Sequence, residues 1–221
     1  MPDFTKVKPF ETREFCFDVR AALDEKRGAI ITGQPIVYGD TYDVGGEWRE
    51  TIDRGALDST DLTDVRFLVN HDTRSIPLAR SRRNNGGNNT MQMTVNESGL
   101  ILDWVSLDVE NNADAKALYS AVQRGDISGM SFGFLIGDER WDDLDSDLPT
   151  RHILRIDTVI EVSAVTFPAY TATTINARDK AALESARHAL ESARQSRAKA
   201  LESACNPLEL EKARFEFLSK F

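Results

Sequence analysis

Three polar residues stand where a strand would ordinarily carry an apolar one, and their types are those of nucleophilic catalysis. In Gly129-Met130-Ser131-Phe132-Gly133-Phe134, alternation puts Met130, Phe132, Phe134 and Ile136 on one face, with Ser131 and Gly133 on the other. The hydroxyl therefore stands on a face cleared of bulk, where a peptide backbone can approach. In Val65-Arg66-Phe67-Leu68-Val69-Asn70-His71-Asp72, the same alternation places His71 beside Val65, Phe67 and Val69, at the buried end of a strand. The segment from Ile153 to Phe167 is apolar on both faces, as a strand covered on both sides is, yet it holds Glu161 on the face of Val159, Val165 and Phe167. A carboxylate there needs a partner such as an imidazole or an arginine. His152, at the start of that stretch, is a second candidate partner. Singly, each residue also fits a plain structural role: a histidine satisfied in the core, or a serine bonded to a neighbour. Together, Ser131, His71 and Glu161 supply a nucleophile, a general base and a group that orients the base. The serine and histidine are 60 residues apart, so only the fold can join them.

The elements that must do so are mostly strands. Short runs rich in Val, Ile, Phe and Thr between turn residues predict strands near 14–21, 28–38, 47–52, 65–71, 90–95, 99–108, 130–136 and 152–167. Asn84-Asn85-Gly86-Gly87-Asn88-Asn89 reads as a hairpin tip, because Asn and Gly tolerate positive φ. One helix is expected from about Asn112 to Arg124, with Ala115, Leu118, Tyr119 and Val122 on one face. Near residue 178 the composition shifts: residues 1–177 carry a net −11 and residues 178–221 a net +2. The run Ala182-Leu183-Glu184-Ser185-Ala186 recurs at 189–193 and 200–204, an imperfect repeat because its steps are seven and eleven residues. This predicts a long amphipathic helix without one heptad register, broken before Pro207, then a short helix with Leu210, Phe215, Phe217, Leu218 and Phe221. The reading is a mainly β (α+β) domain over 1–177, followed by a helical extension over 178–221.

Composition narrows the chemistry. The 221 residues are 41% hydrophobic and 29% charged, with 27 Lys and Arg against 36 Asp and Glu, a net charge of −9. That sign argues against a nucleic-acid partner. No stretch approaches the roughly 20 apolar residues that span a bilayer, and the first residues lack a signal-peptide pattern, so a cytoplasmic protein without membrane contact is expected. Cys16 and Cys205 lie at opposite ends of the chain and read as small hydrophobes rather than as a disulfide or zinc site. No GxxxxGK[ST] motif occurs, and no GxGxxG opens a helix. Asp143-Leu144-Asp145-Ser146-Asp147 begins like a calcium loop, but Leu148 and Leu154 stand where its glycine and closing glutamate belong. No cofactor and no metal are expected.

At these residues the sequence resembles the prohead (capsid maturation) proteases of tailed phages, a family related in fold to the herpesvirus assembly proteases. The likeness covers roughly residues 14–177. It begins with Gly33-Gln34-Pro35-Ile36-Val37-Tyr38, runs through Glu47-Trp48-Arg49-Glu50-Thr51-Ile52 and Gly55-Ala56-Leu57, and peaks at Asn70-His71-Asp72, Gly129 to Phe134 and Glu161 to Ala169. The resemblance implies a serine endopeptidase on a compact β-barrel-like domain with a few helices. By motif position His71 is the general base, Ser131 the nucleophile that forms an acyl-enzyme, and Glu161 the third member, with His152 its rival because the herpesvirus relatives use a second histidine there. Ser128 falls outside the matched serine position and is read as a loop residue. Such enzymes work inside the immature capsid in the host cytoplasm, cutting scaffold protein or the scaffold segment of the major capsid protein, and often themselves. The extension over 178–221 is then expected to serve capsid targeting, scaffold contact or self-association, including a homodimer. The alternative is a scaffold or capsid-assembly module that kept the fold but lost hydrolysis. An unrelated esterase is disfavoured because the chain has too little βα alternation for that fold.

Overall fold

In a computed structural model, residues 11–15, 19–81, 89–166 and 177–204 are described. The strands are β1 (Glu11–Phe15), β2 (Arg20–Asp24), β3 (Gly28–Val37), β4 (Thr41–Val44), β5 (Trp48–Ile52), β6 (Arg66–Val69), β7 (Ala79–Arg80), β8 (Met91–Asn96), β9 (Gly99–Ser106), β10 (Gly129–Asp142) and β11 (Thr150–Val165). The helices are α1 (Ala113–Arg124) and α2 (Ala177–Ala204). The mainly β, α+β reading holds. The strand expected over 14–21 falls instead on β1 and β2, and the short β4 and β7 were not expected at all. Residues 82–88, most of the expected hairpin tip, lie outside the described residues, as do Phe167, Pro207 and the short helix expected at Leu210–Phe221.

Two sheets form, and they do not close into a barrel. The smaller runs β2-β3-β9-β8; the larger runs β1-β10-β11-β5-β4, with β6 and β7 joined beside β11. At 16 residues, roughly 50 Å by the usual strand rise, β11 is long enough to serve two partners on one edge. Its first residues pair in parallel with β5 (Thr150 to Ile153 against Arg49 to Ile52). Its last pair in parallel with β6 (Glu161 to Ala164 against Arg66 to Val69). The other edge of β11 carries the antiparallel β10 along its length.

Apolar residues decide which faces turn inward. Ile31, Ile36, Phe67, Leu100, Leu102, Met130, Phe132, Phe134, Ile156 and Val162 are fully buried in one core. Helix α1 adds Ala115, Leu118 and Val122 from the face that the 3.6-residue period predicts, with Tyr119 half-buried beside them. Its ends are fixed locally: the Asn112 side chain accepts from the N–H groups of Asp114 and Ala115, and Gly125, at φ 78°, closes the last turn. Gly99, at φ 137°, has no substitute between β8 and β9, because a Cβ there would lie 2.0 Å from the Ile36 carbonyl oxygen.

Four strands of the larger sheet are tied by one buried cation. The Arg151 guanidinium, on β11, donates to Glu11 of β1 (3.0 and 3.3 Å), Glu50 of β5 (3.2 Å) and Glu139 of β10 (2.8 Å). Burial alone would push this group down; the carboxylates of Glu50, Glu11 and Glu139 outweigh it and hold Arg151 above its ordinary value. Helix α2 docks through Leu183, which is buried against Val44 and Trp48 with Trp141 and Leu144 at the margin. Lys180 pairs with Glu47 (2.7 Å) and Arg194 with Asp145 of the acidic loop.

Candidate active site

The candidate site is assembled by register. Across the β10–β11 ladder, Ser131 pairs with Ser163 and Gly133 with Glu161, while Phe132 pairs with Val162. Directly opposed residues share a face. Hence Ser131, Gly133, Glu161 and Ser163 stand together on the face away from the core, and Gly133 puts no side chain beside Glu161. One detail differs from the expected alternation. A register shift between Gly133 and Phe134 pairs Phe134 with Val159, so one extra residue, Ile160, separates Val159 from the Glu161 pairing. That bulge flips the face, placing Val159 in the core and Glu161 opposite it, with Val165 still on Glu161's side.

His71 arrives from the other flank of β11. The strand β6 ends at Val69, and Asn70 and His71 take left-handed backbone angles, φ 51° and 56°. Strand alternation therefore stops short of His71, which sits on a turn rather than at the end of a strand as expected. Asn and His visit this conformation more readily than most residues. The turn is held by hydrogen bonds: Asn70 N–H to the Ala164 carbonyl (3.0 Å), Thr166 N–H to Asn70 Oδ1 (2.9 Å), Asn70 Nδ2 to Thr166 Oγ1 (3.0 Å) and His71 N–H to Ser163 Oγ (3.2 Å).

The side chains then meet. Ser131 Oγ lies 2.6 Å from His71 Nε2, and His71 Nδ1 lies 2.7 Å from Glu161 Oε1. The second carboxylate oxygen, Oε2, accepts from Ser163 Oγ at 2.5 Å. Ser131, Ser163 and Glu161 are buried, and the imidazole keeps 16% of its surface exposed. Glu161 thus has both oxygens satisfied, as a buried carboxylate requires. With Nδ1–H donating to the carboxylate, Nε2 is free to accept from the serine hydroxyl. Two cavities flank the turn that carries His71: one of about 330 Å³ between Leu68, Pro77, Ile160 and Glu161, the other of about 490 Å³ between Val69, Leu78, Leu118 and Ile127.

His152 is not brought to this group. Its Nδ1 lies 2.9 Å from Asp53 and its Nε2 3.3 Å from Asp142. It also lies nine residues before Glu161 on the same strand, roughly 30 Å away. Ser128 is an exposed loop residue before β10. Reading the sequence missed Ser163, although a polar residue two positions after Glu161 in an apolar strand shares its face, and missed the Arg151 cluster, whose carboxylates lie far apart in the chain.

A mainly β scaffold that lines up serine, histidine and carboxylate in hydrogen-bond sequence has the architecture of a serine hydrolase. A family model for the caudovirus prohead serine protease matches residues 16–188, and the chain belongs to that family. Comparison with curated proteins and with solved structures gave no significant match.

Proposed function

We propose that this chain is a serine endopeptidase that matures the capsid, with Ser131 as nucleophile, His71 as general base and Glu161 as the group that orients the base. The observation that carries the reading is the unbroken sequence of contacts, 2.6 Å from Ser131 to His71 and 2.7 Å from His71 to Glu161. His71 Nε2 takes the hydroxyl proton as Ser131 Oγ bonds to the scissile carbonyl carbon, and returns it to the amine that leaves. Water then attacks the ester along the same path and regenerates the serine. Glu161 holds the imidazole in the tautomer that accepts at Nε2 and stabilises the imidazolium while it lasts.

Membership in the family supports a substrate in the capsid: the scaffold protein or the scaffold segment of the major capsid protein, and the protease itself, cut inside the prohead in the host cytoplasm. Residues 1–177 carry the hydrolytic domain in this reading, and residues 178–221 form a helical extension for scaffold contact or self-association. The test is the intact mass of the wild-type protein and of Ser131→Ala, each incubated with the major capsid protein of the same phage and each assembled into proheads. Discrete fragments from the wild type alone are expected. Full-length products from both, inside assembled particles, would leave the non-hydrolytic assembly module as the better reading.

A further inference from the structure

The relay contains a fourth polar group with a distinct job. Ser163 is fully buried and stands directly opposite Ser131 in the β10–β11 ladder. Its single O–H donor goes to Glu161 Oε2 at 2.5 Å, and its oxygen accepts the backbone N–H of His71 at 3.2 Å. One hydroxyl therefore touches the acid through its side chain and the base through its main chain. We propose that Ser163 is a positioning residue of the relay: it turns the Glu161 carboxylate toward Nδ1 and clamps the left-handed turn that aims the imidazole at Ser131. The inference rests on the serine–histidine–glutamate reading above.

The chemistry explains why the position wants a short hydroxyl. A carboxylate with one oxygen on the imidazole and the other unbound can rotate about its terminal torsion, which is soft. A donor on the second oxygen removes that freedom, and hydrogen bonds to a charged acceptor are the stronger kind. At φ 56° the His71 backbone is in a sparsely populated region for a residue with a side chain, and it persists only where its surroundings fix it. The Ser163 acceptor is one of those constraints. Alanine removes both contacts, threonine retains both, and cysteine keeps similar bulk with a weak donor.

The experiment uses the full-length protein and a fluorophosphonate probe, which bonds to an activated serine oxygen with loss of fluoride and so reports on the relay without a peptide substrate. For Ser163→Ala the maximal labelling rate should fall by about 10- to 100-fold, the worth of a hydrogen bond to a charged group, while the half-saturating probe concentration stays within about twofold. Ser163→Thr should restore most of the rate. The low-field proton resonance of His71 Nδ1–H should shift in Ser163→Ala and return in Ser163→Thr, a signature that a merely structural serine would not produce. If Ser163→Ala fails to fold, Ser163→Cys carries the same comparison. Labelling of folded Ser163→Ala at the wild-type rate, with an unmoved resonance, overturns the proposal. Labelling of Ser131→Ala as fast as wild type overturns the relay reading itself, and that failure shows in a different variant.

Discussion

Replacing Glu161 by glutamine keeps the shape of the site and changes only which atoms can donate, so its effect follows from the two contacts of the carboxylate. Glutamine has one oxygen and one NH₂ to place against His71 Nδ1 and Ser163 Oγ, the partners now at 2.7 and 2.5 Å. With its oxygen toward Ser163, the amide N–H₂ faces Nδ1, drives the imidazole proton to Nε2, and leaves no acceptor for the Ser131 hydroxyl. The opposite placement preserves the productive tautomer but takes from the buried Ser163 O–H its acceptor, at about 1–3 kcal/mol. At about 1.4 kcal/mol per factor of ten, the productive placement is a minority of roughly 1–15%. Loss of the negative charge that supports the imidazolium lowers the rate of that minority further, and comparable relays lose about 10⁴-fold on this exchange. The expected result for Glu161→Gln is a fall in kcat of about 10³- to 10⁴-fold with little change in KM and an unaltered thermal transition. Cleavage of the capsid protein and fluorophosphonate labelling measure it, with circular dichroism to confirm the fold. A kcat within about threefold of wild type would refute the assignment of Glu161 and the tautomer argument together.

Other outcomes follow from residues away from the relay. His152→Ala should leave labelling within about twofold of wild type, because its ring is bonded to Asp53 and Asp142 far along β11; a large loss would restore it as the third member. Arg151→Met leaves the Glu11 and Glu50 carboxylates buried without their cation, a change worth about 3–5 kcal/mol and, for a chain of this size, roughly 6–20 °C in Tm. A calorimetric transition within about 2 °C of wild type would contradict the account. Leu183→Ala should cost about 2–5 kcal/mol and shift the fluorescence of Trp48, since the leucine covers that ring. A chain ending at residue 188 keeps this contact; it should cleave normally yet fail to enter proheads, and equal incorporation would count against a targeting role for the extension.

Much of the candidate site was legible because strand chemistry is periodic. Ser131 and Gly133 stood out as the two small residues on one side of an otherwise bulky strand, and Glu161 as a charge inside an apolar one. What the period could not carry was its own interruption. The bulge between the Glu161 and Val159 pairings reverses which residues share a face, and the left-handed turn at Asn70 and His71 ends the alternation before the imidazole. Both involve partners at least 25 residues distant rather than neighbours in the chain. The Arg151 cluster was invisible for the same reason: its partners, Glu11, Glu50 and Glu139, come from three other strands. In the fold, the mainly β character followed from residue types, whereas the division into two open sheets depends on β11 pairing with both β5 and β6 on one edge.

The parallel pairing of β6 with β11 also sets a clock. The chain emerges with His71 first, Ser131 next and Glu161 last, and the imidazole is placed only when β6 at 66–69 lies beside β11 at 161–164. Closing a loop of that length is among the slower events in building a sheet. A ribosome-bound chain that has passed Ser131 but not Glu161 holds a hydroxyl and an imidazole with nothing to align them. The line of contacts from Ser131 through His71 to Glu161 therefore forms only with the completed sheet, and under the proposed assignment hydrolysis would wait for it.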